Sequence, residues 1–180
     1  AFVSGISRIL ESQGGCQRMI DIHCLVAAWH VEVIYETLPE EIAAVYQPKS
    51  ENQPAKILLQ KQRPFTHEEI RELLAMGLQF LHLTTFFPTT SDHMLFLDSF
   101  PTPGHMLARD LTAMLLIELE ELSRLLHAGI DDIVTLAEKF GCRKSLLEHR
   151  LSMADTLSLW DNTNQTYRQI VLHRNPVLSP

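Results

Sequence analysis

Long apolar runs are missing from this chain. No stretch approaches the roughly 20 residues that a membrane-spanning helix needs, and the start Ala1-Phe2-Val3-Ser4-Gly5 has no basic region of the kind that opens a signal peptide. A cytoplasmic protein is the expectation. Cysteine is scarce: Cys16, Cys24 and Cys142 are odd in number and lie in no CxxC or Cys/His array. That excludes a disulfide framework or a zinc ribbon and leaves buried or inert thiols. Positive charge is in deficit too, with 15 Lys and Arg against 22 Asp and Glu, a net charge of −7 and a pI near 5.7. Such a balance weighs against a protein whose main task is coating nucleic acid or an anionic membrane. No Gly-x-Ser-x-Gly elbow, Walker loop or GxGxxG occurs, so serine-hydrolase and nucleotide chemistry have no support. No internal repeat or low-complexity tract is seen. What is present is a globular composition, 46% hydrophobic and 21% charged over 180 residues, enough for one domain or one domain with a small appendage.

The chain is organised around one helix. Thr66 followed three residues later by Glu69 forms a capping box, so a helix is predicted to start at His67. Ile70, Leu73, Leu74, Gly77, Leu78 and Leu81 then recur at spacings of three and four and make one apolar stripe through residue 83. Gly77 is unusual there. Glycine inside a helix costs about 1 kcal/mol relative to alanine, so its place on the buried side predicts a close neighbour.

On either side, the pattern predicts helices over 2–13 and 20–30, an alternating strand over 31–35, an ambiguous stretch at 38–46 with a candidate strand at 42–46, and a strand over 55–60. After the organising helix comes a polar, proline-broken linker and a mixed stretch, His93 to Phe100. A long helix is predicted from about His105 to residue 127, with Leu107, Leu111, Met114, Leu115, Leu119, Leu122, Leu125 and Leu126 on its apolar face. Residues 130–153 have helix-turn-helix form, with Ala137 at the crossing, Gly141 in the turn, and Leu147 and Leu151 on the second helix. Residues 167–173 read as a final strand. The fold class is therefore α+β.

The segment 55–83, followed by the helix carrying Ala108-Arg109-Asp110-Leu111-Thr112-Ala113-Met114-Leu115-Leu116, resembles the ImmA/IrrE-type metallopeptidases in the order of its elements. In that family a short strand precedes a helix bearing His-Glu-x-x-His, and a later helix brings a glutamate followed by small residues and a Leu-Leu pair. Aligned on that pattern, the histidine positions fall on Met76 and Phe80, the catalytic glutamate on Gly77 and the third ligand on Leu107. None of these residues binds zinc as a nitrogen or oxygen ligand. Where the family has a proline after the Leu-Leu pair, this chain has Ile117-Glu118, so the helix is expected to run on. The resemblance implies a small sheet of about three strands packed on zincin-like helices, with a core over 1–127 and a helix-turn-helix-like unit and tail over 128–180. It also implies a degenerate, non-catalytic relative without a cofactor, acting on a protein partner: a repressor or a sister regulatory protein in a bacterial or phage stress or mobile-element response. No membrane is involved, and a homo-oligomer is left open.

Two alternatives rest on other residues. His82, His93 and His105, with Asp92 and Asp98, could form a relocated zinc site if residues 84–104 fold over the helix, giving a metallopeptidase that cleaves a repressor. Arg143, Lys144 and Arg150 could contact DNA from the helix-turn-helix, although Asp131, Asp132, Glu138 and Glu148 offset their charge. A third pattern, His67-Glu68-Glu69-Ile70-Arg71, comes close to a zinc motif but ends in arginine, which cannot ligate zinc. It reads better as a solvated first turn whose acids suit the helix dipole. His23 and His30 lie seven apart and could share a helix face, and they read as flanking residues rather than ligands.

Overall fold

Local signals set most element boundaries in the computed structural model, which describes residues 19–86 and 91–153. The helix expected at 2–13, the strand expected at 167–173 and Cys16 lie outside the described residues. Helix α1, Ile22–Ala28, opens on Asp21, whose carboxylate accepts from the backbone N–H groups of His23 and Cys24. Strands β1 (Glu32–Glu36), β2 (Ala44–Gln47) and β3 (Lys56–Gln60) follow. Helix α2, His67–Phe86, starts on the capping box: Thr66 N donates to Glu69 Oε2 at 3.0 Å and Glu69 N donates to Thr66 Oγ1 at 3.2 Å. Then come β4 (His93–Leu95), α3 (Pro103–Leu116), α4 (Leu119–His127), α5 (Ile133–Phe140) and α6 (Lys144–Ser152). None of these helices is long and apolar enough to cross a membrane.

The fold is α+β, with two departures from the sequence reading. The sheet among the described residues has four strands, not about three, in the order β1-β3-β2-β4. Strand β1 runs parallel to β3, while β2 is antiparallel to both β3 and β4. Strand β4 is only three residues long, too short for a period of two to stand out from the stretch around it. The helix expected at 105–127 is instead two. It begins at Pro103, with Thr102 accepting from His105 N as its cap. Proline suits that first position because its missing N–H would have no helical partner there. It stops at Ile117, which turns out of the helical region at φ −124° and ψ 88°. The carbonyl freed by this break is taken by the Nε of Arg150, 3.2 Å away and on the last described helix.

Strand β3 is central and buried on both faces. Ile57 and Leu59 belong to the main core with Leu73, Leu74 and Met76 of α2, while Leu58 packs on the other side with Ile42 and Val45. At the end of β3 the buried side chain of Gln60 donates to the carbonyls of Leu38 and Pro39 and accepts from Leu38 N, which holds the 38–42 segment against that second face. The main core runs without interruption from Ile22 of α1 to Leu151 of α6, so the helix-turn-helix unit shares it. Gly141 turns the chain between α5 and α6 in the left-handed region, φ 55° and ψ 44°.

Gly77 sits where the sequence placed it, facing β3. A Cβ added there would lie 2.5 Å from Ile57 Cδ1 and 2.8 Å from Cγ1 of the same fully buried side chain. Glycine therefore sets how closely α2 approaches the sheet. Gly77→Ala should lower unfolding stability by about 1–2 kcal/mol, since overpacking a tight core outweighs the gain in helix propensity. Adding Ile57→Val, which removes the nearest methyl, should cost less than the sum of the two single changes in urea titrations; simple additivity would show that the two residues do not compete for space.

Candidate functional site

Helix α2 points Met76, Gly77 and Phe80 inward, and all three positions are packed. Met76 is fully buried, Gly77 lies on Ile57, and Phe80 is buried in a cluster of rings. The Phe80 ring stacks on His93 at a centroid distance of 4.6 Å, meets His105 edge-on at 5.4 Å, and lies 6.4 Å from Tyr46. Phe96 closes the cluster against His105 at 5.9 Å. Strands β2 and β4 thus bring Tyr46 and His93 to one side of Phe80, and the first turn of α3 brings His105 to the other. Leu107 does not join them: it is 44% exposed, on the outer side of α3. Two residues turn a helix by roughly 200°, and His105 is the α3 residue that reaches Phe80.

His105 has no nitrogen left for a metal. Its Nε2 lies 2.7 Å from Met94 O, which can only accept, so Nε2 carries the proton; Nδ1, 2.6 Å from Thr102 Oγ1, accepts from that hydroxyl. His93 differs, because its buried Nε2 has no partner. Burial lowers the His93 pKa, the neighbouring His105 lowers it further, and Asp92 opposes both. Tyr46 is fully buried, and its hydroxyl approaches that of Thr84 without meeting a partner in hydrogen-bonding geometry. Burial raises the Tyr46 pKa, so the phenol stays neutral. His82 sits on α2 two residues past Phe80, a rotation of roughly 200° around the helix. No group of three or more His, Cys, Asp or Glu side chains suited to a metal occurs among the described residues. One free imidazole nitrogen among aromatic rings, with Asp92 as its neighbouring carboxylate, does not make the three- or four-ligand set that zinc takes.

The cations of the helix-turn-helix mostly face inward. Arg143 makes a bidentate pair with Glu72 of α2, at 2.7 and 3.0 Å, and also bonds Asp98 Oδ1 at 2.7 Å and Leu97 O at 2.6 Å. Burial pulls its pKa down, but the bonds and charges of Glu72 and Asp98 more than reverse this and push it up. Arg150 is 2% exposed. Of the three candidate DNA contacts, Lys144 alone is exposed, and it lies 3.7 Å from Glu148. Helix α6, where a recognition helix would be, packs against α3. His149 Nε2 donates to Asp110 Oδ1 at 2.6 Å, and Arg109, whose guanidinium lies 4.3 Å from the Phe100 ring centroid, donates to Ser145 O at 3.4 Å.

The near-motif at 67–71 is structural. Glu69 belongs to the capping box and pairs with Arg63, while Arg71 is buried and donates to Gly141 O at 3.0 Å, Ile20 O at 2.9 Å and Phe140 O at 3.5 Å. The sequence reading missed Arg71 and Glu72 as ties between α2 and the carboxyl-terminal helices. For Glu72 the signal was a carboxylate beside the apolar stripe with no basic residue three or four positions away on the same helix. The two described thiols are held in the protonated form. Burial pushes Cys142 up to about 12, and the hydrogen bond that Cys24 donates to Asp21 raises Cys24 as well.

Breaking the Glu72–Arg143 pair should be costly, because Glu72 is only 1% exposed and would be left without its main partner. Arg143→Ala should lose about 3–5 kcal/mol of unfolding stability, and Arg143→Lys should recover only part of it, since lysine cannot make the bidentate contact. A loss below about 1 kcal/mol, the range of exposed pairs, would show that the pair is solvated.

The histidines set a pH dependence. His93 and His149 both have folded pKa values below the usual 6.5, from burial first and then from the neighbouring His105 and the Arg109 cation respectively. The unfolded chain therefore takes up protons that the folded chain refuses. The stability these groups contribute is present above 6.5 and declines as pH falls through that value towards their folded pKa values. Denaturation measured between about pH 8 and pH 5 should show this decline, well above the carboxylate range. His93→Phe should flatten it; an unchanged slope would remove His93 from the linkage.

Comparison with known proteins finds no matching family model, no matching curated protein and no matching solved structure.

Proposed function

We propose that this chain is a non-catalytic, ImmA/IrrE-like domain that works by binding another protein, a repressor or a sister regulator of a stress or mobile-element response. The observation that carries the reading is the ring cluster around Phe80. At the positions where the resemblance expects two histidines and a glutamate, this chain has a buried methionine, a glycine pressed on Ile57, and a phenylalanine stacked on His93. Each is a packing choice, and each fills space that a metal and its water would need. Two further features support the reading. His105, the α3 residue nearest to Phe80, spends both ring nitrogens on Thr102 and Met94. Helix α3 also ends at Ile117, where the family has its proline, even though this chain has none there.

The inward turn of Arg143 and Arg150 favours partner binding over DNA recognition, since tight DNA binding draws on many uncompensated cations at the surface. An isolated Lys144 supplies little of that.

Metal content comes first as a test. Protein purified without chelators or an affinity tag should hold no stoichiometric transition metal by plasma mass spectrometry, and should leave candidate repressors uncut whether zinc, manganese or a chelator is added. Stoichiometric zinc together with chelator-sensitive cleavage would overturn the reading and return attention to His82, His93 and His105.

A further inference from the structure

The two edges of the sheet are treated differently. At β4 the ring of His105 bonds the carbonyl of Met94, so the first turn of α3 occupies that edge. At β1 nothing among the described residues does so. Every one of its five residues is exposed, including Val33 at 36%, Ile34 at 37% and Tyr35 at 56%. The strand lies beyond the helical layer, so both of its faces are wet. Ile34 shares one face with Glu32 and Glu36, and Val33 and Tyr35 share the other.

The pairing with β3 fixes which backbone groups are free. Glu32 N donates to Ala55 O at 2.9 Å, and Glu36 O accepts from Lys61 N at 2.8 Å. By alternation along a strand, Glu32, Ile34 and Glu36 turn their N–H and C=O groups to β3, while Val33 and Tyr35 turn theirs outward. Natural edge strands are blunted by lysine, proline, bulges or a covering element. Among the described residues strand β1 has no lysine, proline, bulge or covering element, and its charges are both negative and outside any ion pair with a described residue.

We propose that the open edge of β1 is a docking site for an extended segment of a protein partner, one with an apolar centre flanked by lysine or arginine. The bound segment adds a fifth strand to the sheet by bonding the outward groups of Val33 and Tyr35. Its apolar centre lies beside Ile34, and its basic residues lie beside Glu32 and Glu36. Charge decides between this occupant and a second copy of the chain. The antiparallel self-pairing that uses both Val33 and Tyr35 sets Glu32 opposite Glu36 of the other copy at two places, and like charges directly opposite one another are destabilising. The inference stands apart from the proposed function: it follows from the strand alone and holds whatever the Phe80 cluster once was.

The test uses the whole 180-residue chain and two capped peptides, Ser-Lys-Val-Ile-Val-Lys-Ser and its counterpart with glutamate for both lysines. Their symmetric order suits either strand direction. Titration followed by amide NMR should shift Val33 and Tyr35 most, and the lysine peptide should bind on the order of tenfold more tightly than the glutamate one, with the difference shrinking in high salt. Tyr35→Pro removes one outward N–H without touching a bond to β3, and should abolish binding; Ile34→Lys, which leaves the backbone free to fold, should weaken it as well. Reversing both charges, Glu32→Lys with Glu36→Lys, should invert the peptide preference. Binding of neither peptide, equal binding of both, or shifts centred away from β1 would overturn the proposal. So would a concentration-dependent dimer dispersed by Tyr35→Pro, which would give the edge to a second copy.

Discussion

The burial of α2 is the constraint on which this structure depends. Between Arg71 and Phe80 almost every side chain of that helix is out of water, including Arg71, Glu72 and Gln79. A helix can be surrounded in this way only if its charges find partners, because an unpaired buried charge costs several kcal/mol. Arg71 meets this by bonding the carbonyls at the end of α5 and at Ile20, where it closes a helix terminus that would otherwise leave its acceptors open. Glu72 meets it through Arg143. The adjacent pair Arg71-Glu72 thus fastens the two ends of the helix-turn-helix turn to the centre of the fold, and the unit becomes part of the core.

That arrangement explains what the sequence could and could not disclose. The capping box at Thr66 and Glu69 was legible because it is local: both partners lie within one helical turn. Gly77 was legible as a close approach because a glycine on an apolar stripe has few other uses, although Ile57 could not be named as the neighbour. Strand β4 was not legible, since three residues at a sheet edge carry too little alternation. The break at Ile117 was hidden because its compensation, Arg150, lies 33 residues downstream. The same distance problem concealed Arg143. A lysine- and arginine-bearing helix-turn-helix looks like a surface until its carboxylate partner is known, and that partner sits on another helix.

The ring cluster was half legible. The apolar stripe read from periodicity left out Met76 and Phe80, which were singled out only through the resemblance, and the structure buries both. The α3 residue that meets Phe80 is His105, which sequence reasoning did not single out as a partner of that ring. With Thr102 and Pro103 recognised as the start of α3, His105 falls in its first turn, facing back towards β4. A histidine held by a hydroxyl on one nitrogen and a carbonyl on the other serves as a rigid strut between helix and sheet. His93 leaves its buried Nε2 without a partner and stacks on Phe80, and its burial is what makes protonation costly there.

The partners of Arg71 and Glu72 lie 70 and 71 residues further along the chain. During synthesis α2 is therefore made before Gly141 and Arg143 exist to receive its charges. Until they do, closing α2 onto the sheet would strand a carboxylate and a guanidinium in an apolar interior. The final packing of α2 is therefore tied to residues 141–143, and a chain cut short of them would lack the groups that receive these two charges.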